Sequence, residues 1–125
     1  VWSTTTRPGW FLFNGYVRHD TQTGAEQVFQ LPEGVYASES PMIPRKPASS
    51  SGAVGEDSGY LVTFLIDENT GTSECAIMDA SDVTKGPICR LALPHKICSG
   101  THSVWVEHDQ LRADAAFHAQ RFAAA

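Results

Sequence analysis

Short runs of apolar and β-branched residues alternate with turn-forming residues along most of this chain, and no helical pattern lies between them. Runs of this kind, bounded by Gly, Asp, Asn and Pro, are typical of β-strands joined by tight turns. Repeated hairpins without helices between the strands predict an antiparallel all-β fold. The pattern by itself leaves a β-sandwich, a β-barrel and a β-propeller open.

Two predicted hairpins account for the clearest strands. In the second hairpin, the run Tyr60–Ile66 is almost continuously apolar, which predicts a strand buried on both faces. Val35–Pro44 contains two prolines, so this segment is predicted to be a loop or an edge strand. The predicted strands are Phe11–His19 and Glu26–Leu31 in the first hairpin, Gly59–Asp67 and Ser73–Asp79 in the second, and then Ile88–Leu93 and Thr101–Val106.

Two other segments have a different character. Lys46–Asp57 contains three consecutive serines and two glycines, which predicts a surface loop. From Asp109 onward the chain is rich in Ala and lacks Gly and Pro, so we expect a helix that Asp109 caps and that extends to about Phe122. The chain therefore divides into an all-β part, residues 1–106, and a helical or frayed tail, residues 107–125.

Composition excludes several classes of function. The net charge is −5 and no basic run is present, so nucleic acid is a poor partner. No stretch approaches the ~20 apolar residues of a membrane helix, so no membrane span is expected. The sequence begins at Val1 without an initiator Met and starts almost directly in strand-like sequence. We therefore expect this chain to be part of a longer protein.

The cysteines indicate a reducing environment. Their number is odd, three, and no C-x-x-C pair occurs, so neither a disulfide framework nor a zinc site is expected. A reducing compartment fits best, and we expect a cytoplasmic protein. Cys75 and Cys89 lie in predicted strands and are interpreted as small buried hydrophobic residues.

Among the five histidines, His102 has the most suggestive surroundings. Gly100 allows a tight turn before it, and the predicted strand after it enters an apolar region, so the imidazole is expected to point at a central site. None of the histidines has the spacing of a helical metal-binding pair. The other four, predicted to lie at the surface or in the tail, are His19, His95, His108 and His118.

Glu39 is a charged residue in a segment of small and apolar residues. One interpretation is a solvent-facing edge residue, which composition alone favours. The other is a carboxylate that accepts a hydrogen bond from a metal-binding imidazole.

Several short motifs along this chain, by their order and spacing, together resemble the carotenoid cleavage oxygenase family. They cover nearly all of residues 10–106. The motifs are Phe13-Asn14-Gly15, Val17-Arg18-His19-Asp20, Ser38-Glu39-Ser40-Pro41-Met42-Ile43-Pro44, Glu56–Phe64, Asp67–Gly71, Ile77–Ala80, Gly86–Arg90, Leu93-Pro94-His95 and Gly100-Thr101-His102-Ser103.

The resemblance implies a fold and a metal site. Members of this family are seven-bladed β-propellers that hold Fe(II) on the axis through four histidines, so this chain would form the last blades. His102 matches the last of the four histidines, and Glu39 matches a glutamate that orients a ligating imidazole. The other three histidines would come from the remainder of the propeller. A homodimer is left open.

Three departures from the family pattern point to one branch. Thr101 and Ser103 flank His102 where the family usually has Phe and Gly, and Cys98-Ser99 replaces a more common Pro-Tyr pair. This variant resembles the lignostilbene dioxygenases. The implied function is a non-haem Fe(II) dioxygenase that cleaves the C=C bond of a phenolic stilbene with O2 to give two aldehydes.

Three alternatives remain open. The parent enzyme could cleave a carotenoid or apocarotenoid instead of a stilbene. The altered residues around His102 also fit a non-catalytic β module that binds an apolar ligand. The complete hairpins and the helical tail fit a free-standing β-sandwich without a site, although isolated blades would expose open sheet edges.

Overall fold

The computed structural model describes residues 1–46 and 55–114, and nearly all regular structure in them is antiparallel β-sheet. This confirms the all-β prediction. The predicted loop Lys46–Asp57 falls largely outside the described residues. The strands are β1 (Trp2–Thr6), β2 (Phe13–His19), β3 (Glu26–Gln30), β4 (Val35–Ala37), β5 (Met42–Pro44), β6 (Gly59–Asp67), β7 (Thr72–Asp79) and β8 (Pro87–Ala92), with one 3₁₀ turn at Val83–Lys85.

The strands form two units. In the first unit β2 lies between β1 and β3. In the second, β6 pairs with β4 and β5 on one side and with β7 on the other, and β8 pairs with β7 at the outside. A single residue pair, Phe13 opposite Ala37, joins the two units into one hydrogen-bonded sheet. Both predicted hairpins, β2–β3 and β6–β7, are confirmed.

The core lies between these two units, because each turns an apolar face toward the other. The β2–β3 hairpin also packs on the 3₁₀ turn, where the Val83 amide donates to the Gln27 side chain at 3.3 Å. Gly86 has a φ of 66°, and a methyl group added there would lie 2.6 Å from the Phe29 ring, so the backbone conformation and this contact both favour glycine. The buried cluster comprises Tyr16, Leu31, Ala37, Leu61, Leu65, Ala76, Met78, Ala80 and Val83.

β6 is buried along one face and only in part along the other, where Ile66 is buried but Phe64 is not, so the prediction of burial on both faces holds only in part. Leu61 and Leu65 are buried in the core, whereas Phe64 is 41% exposed on the opposite face. Residues opposite one another in the ladder share a face, so Phe64 has apolar neighbours on β7 and β8. The resulting outer face of the second unit comprises Val62, Phe64, Cys75, Ile77, Cys89 and Leu91.

Val35–Pro44 forms two short strands: β5 has a partner on one side only and is an edge strand, as predicted, whereas β4 has partners on both sides, contrary to the prediction. β4 lies between β2 and β6, and β5 continues along β6. The two prolines are tolerated because Pro41 precedes β5 and Pro44 ends it, so neither removes a donor from the middle of a strand.

The predicted strand Thr101–Val106 is wrong. Residues 101–106 have no strand pairing within the described chain, and Val104 is 79% exposed. The apolar alternation suits a strand, but a ladder also needs a second strand beside it, and the described residues do not offer one here.

The helix of the tail begins at residue 108, so Asp109 lies within it and is not its cap. The Glu107 carbonyl accepts from the Leu111 amide at 3.1 Å, and the Gln110 side chain accepts from the Glu107 amide at 3.0 Å. Glu107 therefore occupies the capping position. The predicted continuation to Phe122 lies outside the described residues, and the division into 1–106 and 107–125 stays a prediction.

The cysteines are free, and only one is partly buried. Burial, with a smaller effect of the neighbouring Cys89, raises the pKa of the Cys75 thiol. Cys89 is exposed, contrary to prediction, because it lies on the outer strand β8. No helix among the described residues has the length and apolar character needed to cross a membrane.

Candidate metal centre

The candidate site lies beside β6, between β4 and β5, where regular strand pairing is interrupted. Ala37 is opposite Leu65 and Met42 is opposite Leu61. Four residues, 38–41, therefore face only three, 62–64. One extra residue in a strand makes a β-bulge, which bends the strand and changes the direction of its side chains.

Ser38 closes the ladder at this bulge with its side chain. Its amide donates to the Phe64 carbonyl at 2.9 Å, as in a regular strand. The Phe64 amide, however, donates to the Ser38 hydroxyl at 3.1 Å instead of the Ser38 carbonyl. The Ser38 carbonyl accepts instead from the Thr63 hydroxyl at 3.1 Å.

Glu39, the next residue, is fixed by the segment that carries His102. Its amide donates to the Gly100 carbonyl at 3.2 Å, and its carbonyl accepts from the Ser103 hydroxyl at 3.1 Å. Its carboxylate accepts from the Ser103 amide at 2.6 Å. Residues 100–103 thus make three hydrogen bonds to Glu39, although they are far from it in sequence.

The two residues singled out from the sequence therefore meet. His102 Nδ1 lies 3.9 Å from Glu39 Oε2, an ion-pair distance that is too long for a hydrogen bond. The His102 side chain is 93% exposed and the Glu39 side chain 44% exposed. Glu39 is thus half-buried. The sequence had left two interpretations open, a solvent-facing residue and a buried carboxylate, and the observed exposure is intermediate between them.

One imidazole beside one carboxylate suits part of a metal site. The carboxylate lies on the Nδ1 side of the ring, so Nε2 is the nitrogen left for a metal. Within residues 1–46 and 55–114, no cluster of three or more His, Cys, Asp or Glu side chains could hold a metal ion. The residues present therefore fit one ligand and its orienting group, not a complete coordination sphere.

The other described histidines are away from this site. His19 contacts the Ser3 hydroxyl at 3.1 Å and the Glu26 carboxylate at 2.9 Å, as expected for a residue near a strand end. His95 and His108 are exposed. His118 lies outside the described residues.

The sequence interpretation missed the groups beneath Glu39. The Tyr16 hydroxyl donates to the Thr63 hydroxyl at 2.9 Å, and burial raises the pKa of Tyr16. A signal was present, because Thr63 is a polar residue in the middle of an apolar strand. Such a residue needs a buried partner, but its sequence does not say which one.

A family model matches most of the chain. It is described as RPE65, retinal pigment epithelial membrane protein, and it matches residues 1–107. The match covers every strand and ends one residue before the helix.

Individual proteins agree with this match. Carotenoid 9,10(9',10')-cleavage dioxygenase 1 from Arabidopsis thaliana is 38% identical over 85 residues, which are 68% of this chain and 15% of that protein. Cobalt-substituted apocarotenoid oxygenase from Synechocystis matches with a TM-score of 0.67 and 28% identity, over 77% of this chain and 19% of that one.

A third protein supports the fold. Lignostilbene dioxygenase from Pseudomonas brassicacearum has a TM-score of 0.70 at 22% identity, over 84% of this chain and 23% of that one. The chain thus spans less than a quarter of the length of each of these three proteins. Its strands correspond to blades of the propeller that such oxygenases form. From its sequence and from its fold, this chain belongs to the RPE65 or carotenoid cleavage oxygenase family.

Proposed function

We propose that this chain supplies one iron ligand, His102, and its orienting carboxylate, Glu39, to a non-haem Fe(II) dioxygenase that cleaves a C=C bond. The observation that carries the proposal is the position of Glu39 Oε2, 3.9 Å from His102 Nδ1 and anchored by the Ser103 amide. A carboxylate at this place accepts the Nδ1 proton after a small movement. This fixes the tautomer in which Nε2 is free to bind a metal.

The residues of this chain have distinct tasks in that reaction. When bound, the iron supplies open coordination positions for O2 beside an electron-rich alkene. Glu39 holds the His102 ring in one orientation and raises its basicity. Ser103 holds Glu39, so the carboxylate does not have to be ordered when the metal binds.

The other three ligands come, in this proposal, from the remainder of a longer propeller. Within the described residues, one candidate imidazole lies near Glu39, which supports this. The chain also spans only 15% of the Arabidopsis protein. The His102 side chain, 93% exposed here, would then face the propeller axis and the other ligands.

For the substrate we propose a lignostilbene-type phenolic stilbene, cleaved to two aldehydes. Thr101 and Ser103 beside the ligand and Cys98-Ser99 support this branch. The 38% identity to a carotenoid dioxygenase favours a carotenoid as the second candidate. Values of kcat/KM for a hydroxylated stilbene and for an apocarotenoid, measured with the same full-length enzyme, would separate the two. A higher value for the apocarotenoid would overturn the stilbene assignment.

The central test is His102→Ala in the full-length protein, with iron content and alkene cleavage measured side by side. We expect loss of both, whereas the unfolding midpoints of the metal-free wild type and the metal-free variant should be similar, because that comparison leaves out the stabilisation by bound iron. His95→Ala is the matched control, an exposed histidine earlier in the chain that should keep iron and activity. Full iron content and activity in His102→Ala would contradict the proposal.

A binding module without catalysis is the alternative, favoured by the altered residues around His102. It predicts that the metal-free protein binds an apolar alkene as tightly as the iron-loaded protein does. It also predicts that the iron-loaded protein forms no aldehyde product.

A further inference from the structure

A chain of buried hydroxyl groups links the two sheet units beneath the candidate site. Tyr16 of β2 contacts Thr63 of β6 at 2.9 Å, and Thr63 contacts the Ser38 carbonyl at 3.1 Å. Tyr16 is 2% exposed and Thr63 is 1% exposed. Water cannot readily replace a lost partner at such positions, so each hydroxyl depends on the next.

The direction of the hydrogen bonds follows from chemistry. A backbone carbonyl only accepts, so the Thr63 hydroxyl uses its single proton on Ser38. Thr63 can then only accept from Tyr16, whose hydroxyl is the donor. All three groups are satisfied in one arrangement, and bonds aligned in this way strengthen one another.

This chain of hydrogen bonds stabilises the bulge at Ser38. Thr63 occupies the carbonyl that would otherwise accept from the Phe64 amide, and the Ser38 hydroxyl takes that amide instead. The Ser40 hydroxyl also donates to the Ser38 carbonyl, at 3.4 Å. The peptide that leads from Ser38 into Glu39 is therefore held by side chains on both sides.

We propose that Tyr16, Thr63 and Ser38 are positioning residues that set the direction of the Glu39 carboxylate toward His102. This inference rests on the proposed function, because it gives Glu39 a role in metal binding. It adds that a residue of the neighbouring sheet unit, Tyr16, affects the metal although it does not touch the ligand.

The test compares Thr63→Val with Thr63→Ser in the full-length protein. Valine keeps the shape and removes the hydroxyl, whereas serine keeps the hydroxyl. We expect Thr63→Val to weaken Co(II) and Fe(II) binding by about 10-fold, the low end for loss of an outer hydrogen-bonding partner. Thr63→Ser should restore most of the affinity. Equal affinities of the two variants would overturn the inference.

A second comparison keeps the inference testable if Thr63→Val fails to fold. Tyr16→Phe removes the donor at the start of the chain of hydroxyls and should weaken metal binding. Tyr36→Phe is its matched control, because the buried Tyr36 hydroxyl accepts from Arg7 at 2.9 Å and has no hydrogen bond to Ser38 among those described. An effect of equal size in both variants would contradict the inference.

A double-mutant comparison separates this inference from the proposed function. In a Glu39→Gln background, Thr63→Val should cause little further loss of Co(II) affinity, because both changes act through the same carboxylate. A full additional loss would show that Thr63 acts in another way. If Glu39→Gln alone leaves metal affinity unchanged, the proposed role of Glu39 fails together with this inference.

Discussion

The two sides of β6 are built differently. On one side, β7 pairs with it in eight consecutive residue pairs, from Tyr60 opposite Asp79 to Asp67 opposite Thr72. On the other side, pairing is shared between β4 and β5 and is interrupted by the bulge at residues 38–41. The regular side carries no candidate site residue, whereas the interrupted side carries Glu39.

This difference separates stability from function along a single strand. The regular side is held by backbone hydrogen bonds and apolar packing, which require only apolar residues at the positions that face the core. The interrupted side is held by the hydroxyls of Ser38, Thr63 and Ser103, whose partners lie far apart in the chain. Changes on the two sides should therefore affect different measurements.

The largest effect on stability is expected on the regular side, for Met78→Ala. Met78 is fully buried in β7, and loss of such a side chain costs about 2–5 kcal/mol. Chemical denaturation of the full-length protein would measure this loss, with the exposed Glu68→Ala as control. Metal affinity of the folded fraction should not change. A parallel loss of metal affinity would remove the contrast between the two sides.

An intermediate effect, on metal affinity instead of stability, is expected for Glu39→Gln. Loss of a carboxylate that orients a ligating imidazole typically costs about 10–100-fold in affinity or activity. Glu74→Gln is the control on the regular side, where Glu74 pairs with Arg90 across β7 and β8. A competition titration with Co(II) would measure both variants, and equal affinities would refute the assignment of Glu39.

The smallest effect is expected at the turn of the regular hairpin, for Asp67→Asn. A hydrogen bond from the Thr70 hydroxyl, with further ones from the Asn69 and Thr70 amides, lowers the pKa of Asp67. A lowered folded-state pKa gives stability that is present above the unfolded value, about 3.9, and is lost as pH falls through the folded value.

Unfolding midpoints measured from pH 6 down to about 3 test this effect. The wild type should lose stability over this range, and Asp67→Asn should lose slightly less, since it has no carboxylate to protonate. Glu68→Gln, the exposed neighbour, is the control. Identical pH profiles for all three proteins would exclude a contribution of the turn.

The fold could be predicted largely from local pattern. The apolar run of β6 and the return strand β7, with the turn residues Glu68–Gly71 between them, were sufficient to predict this hairpin. Local pattern failed where a segment depends on another part of the chain. Thr101–Val106 has the pattern of a strand but no paired strand within the described residues. Val35–Ala37 belongs to a segment with the prolines of an edge but has strands on both sides.

The candidate site was predictable only in part. His102 and Glu39 could be singled out through the family resemblance, and they lie 3.9 Å apart. The role of Ser38 could not be foreseen, because a serine that replaces a backbone acceptor in a ladder has no sequence signature. Tyr16 was equally hidden, since its contact with Thr63 spans 47 residues of sequence.

The outer face of the second unit is exposed to solvent. Within it, Phe64 is 41% exposed and Leu91 is 53% exposed. With the core on its other face, this sheet is apolar on both sides, and large exposed apolar surfaces promote aggregation. The practical consequence concerns protein production. An expression boundary drawn close around β4–β8 would leave this face in water, and we expect such a fragment to form inclusion bodies.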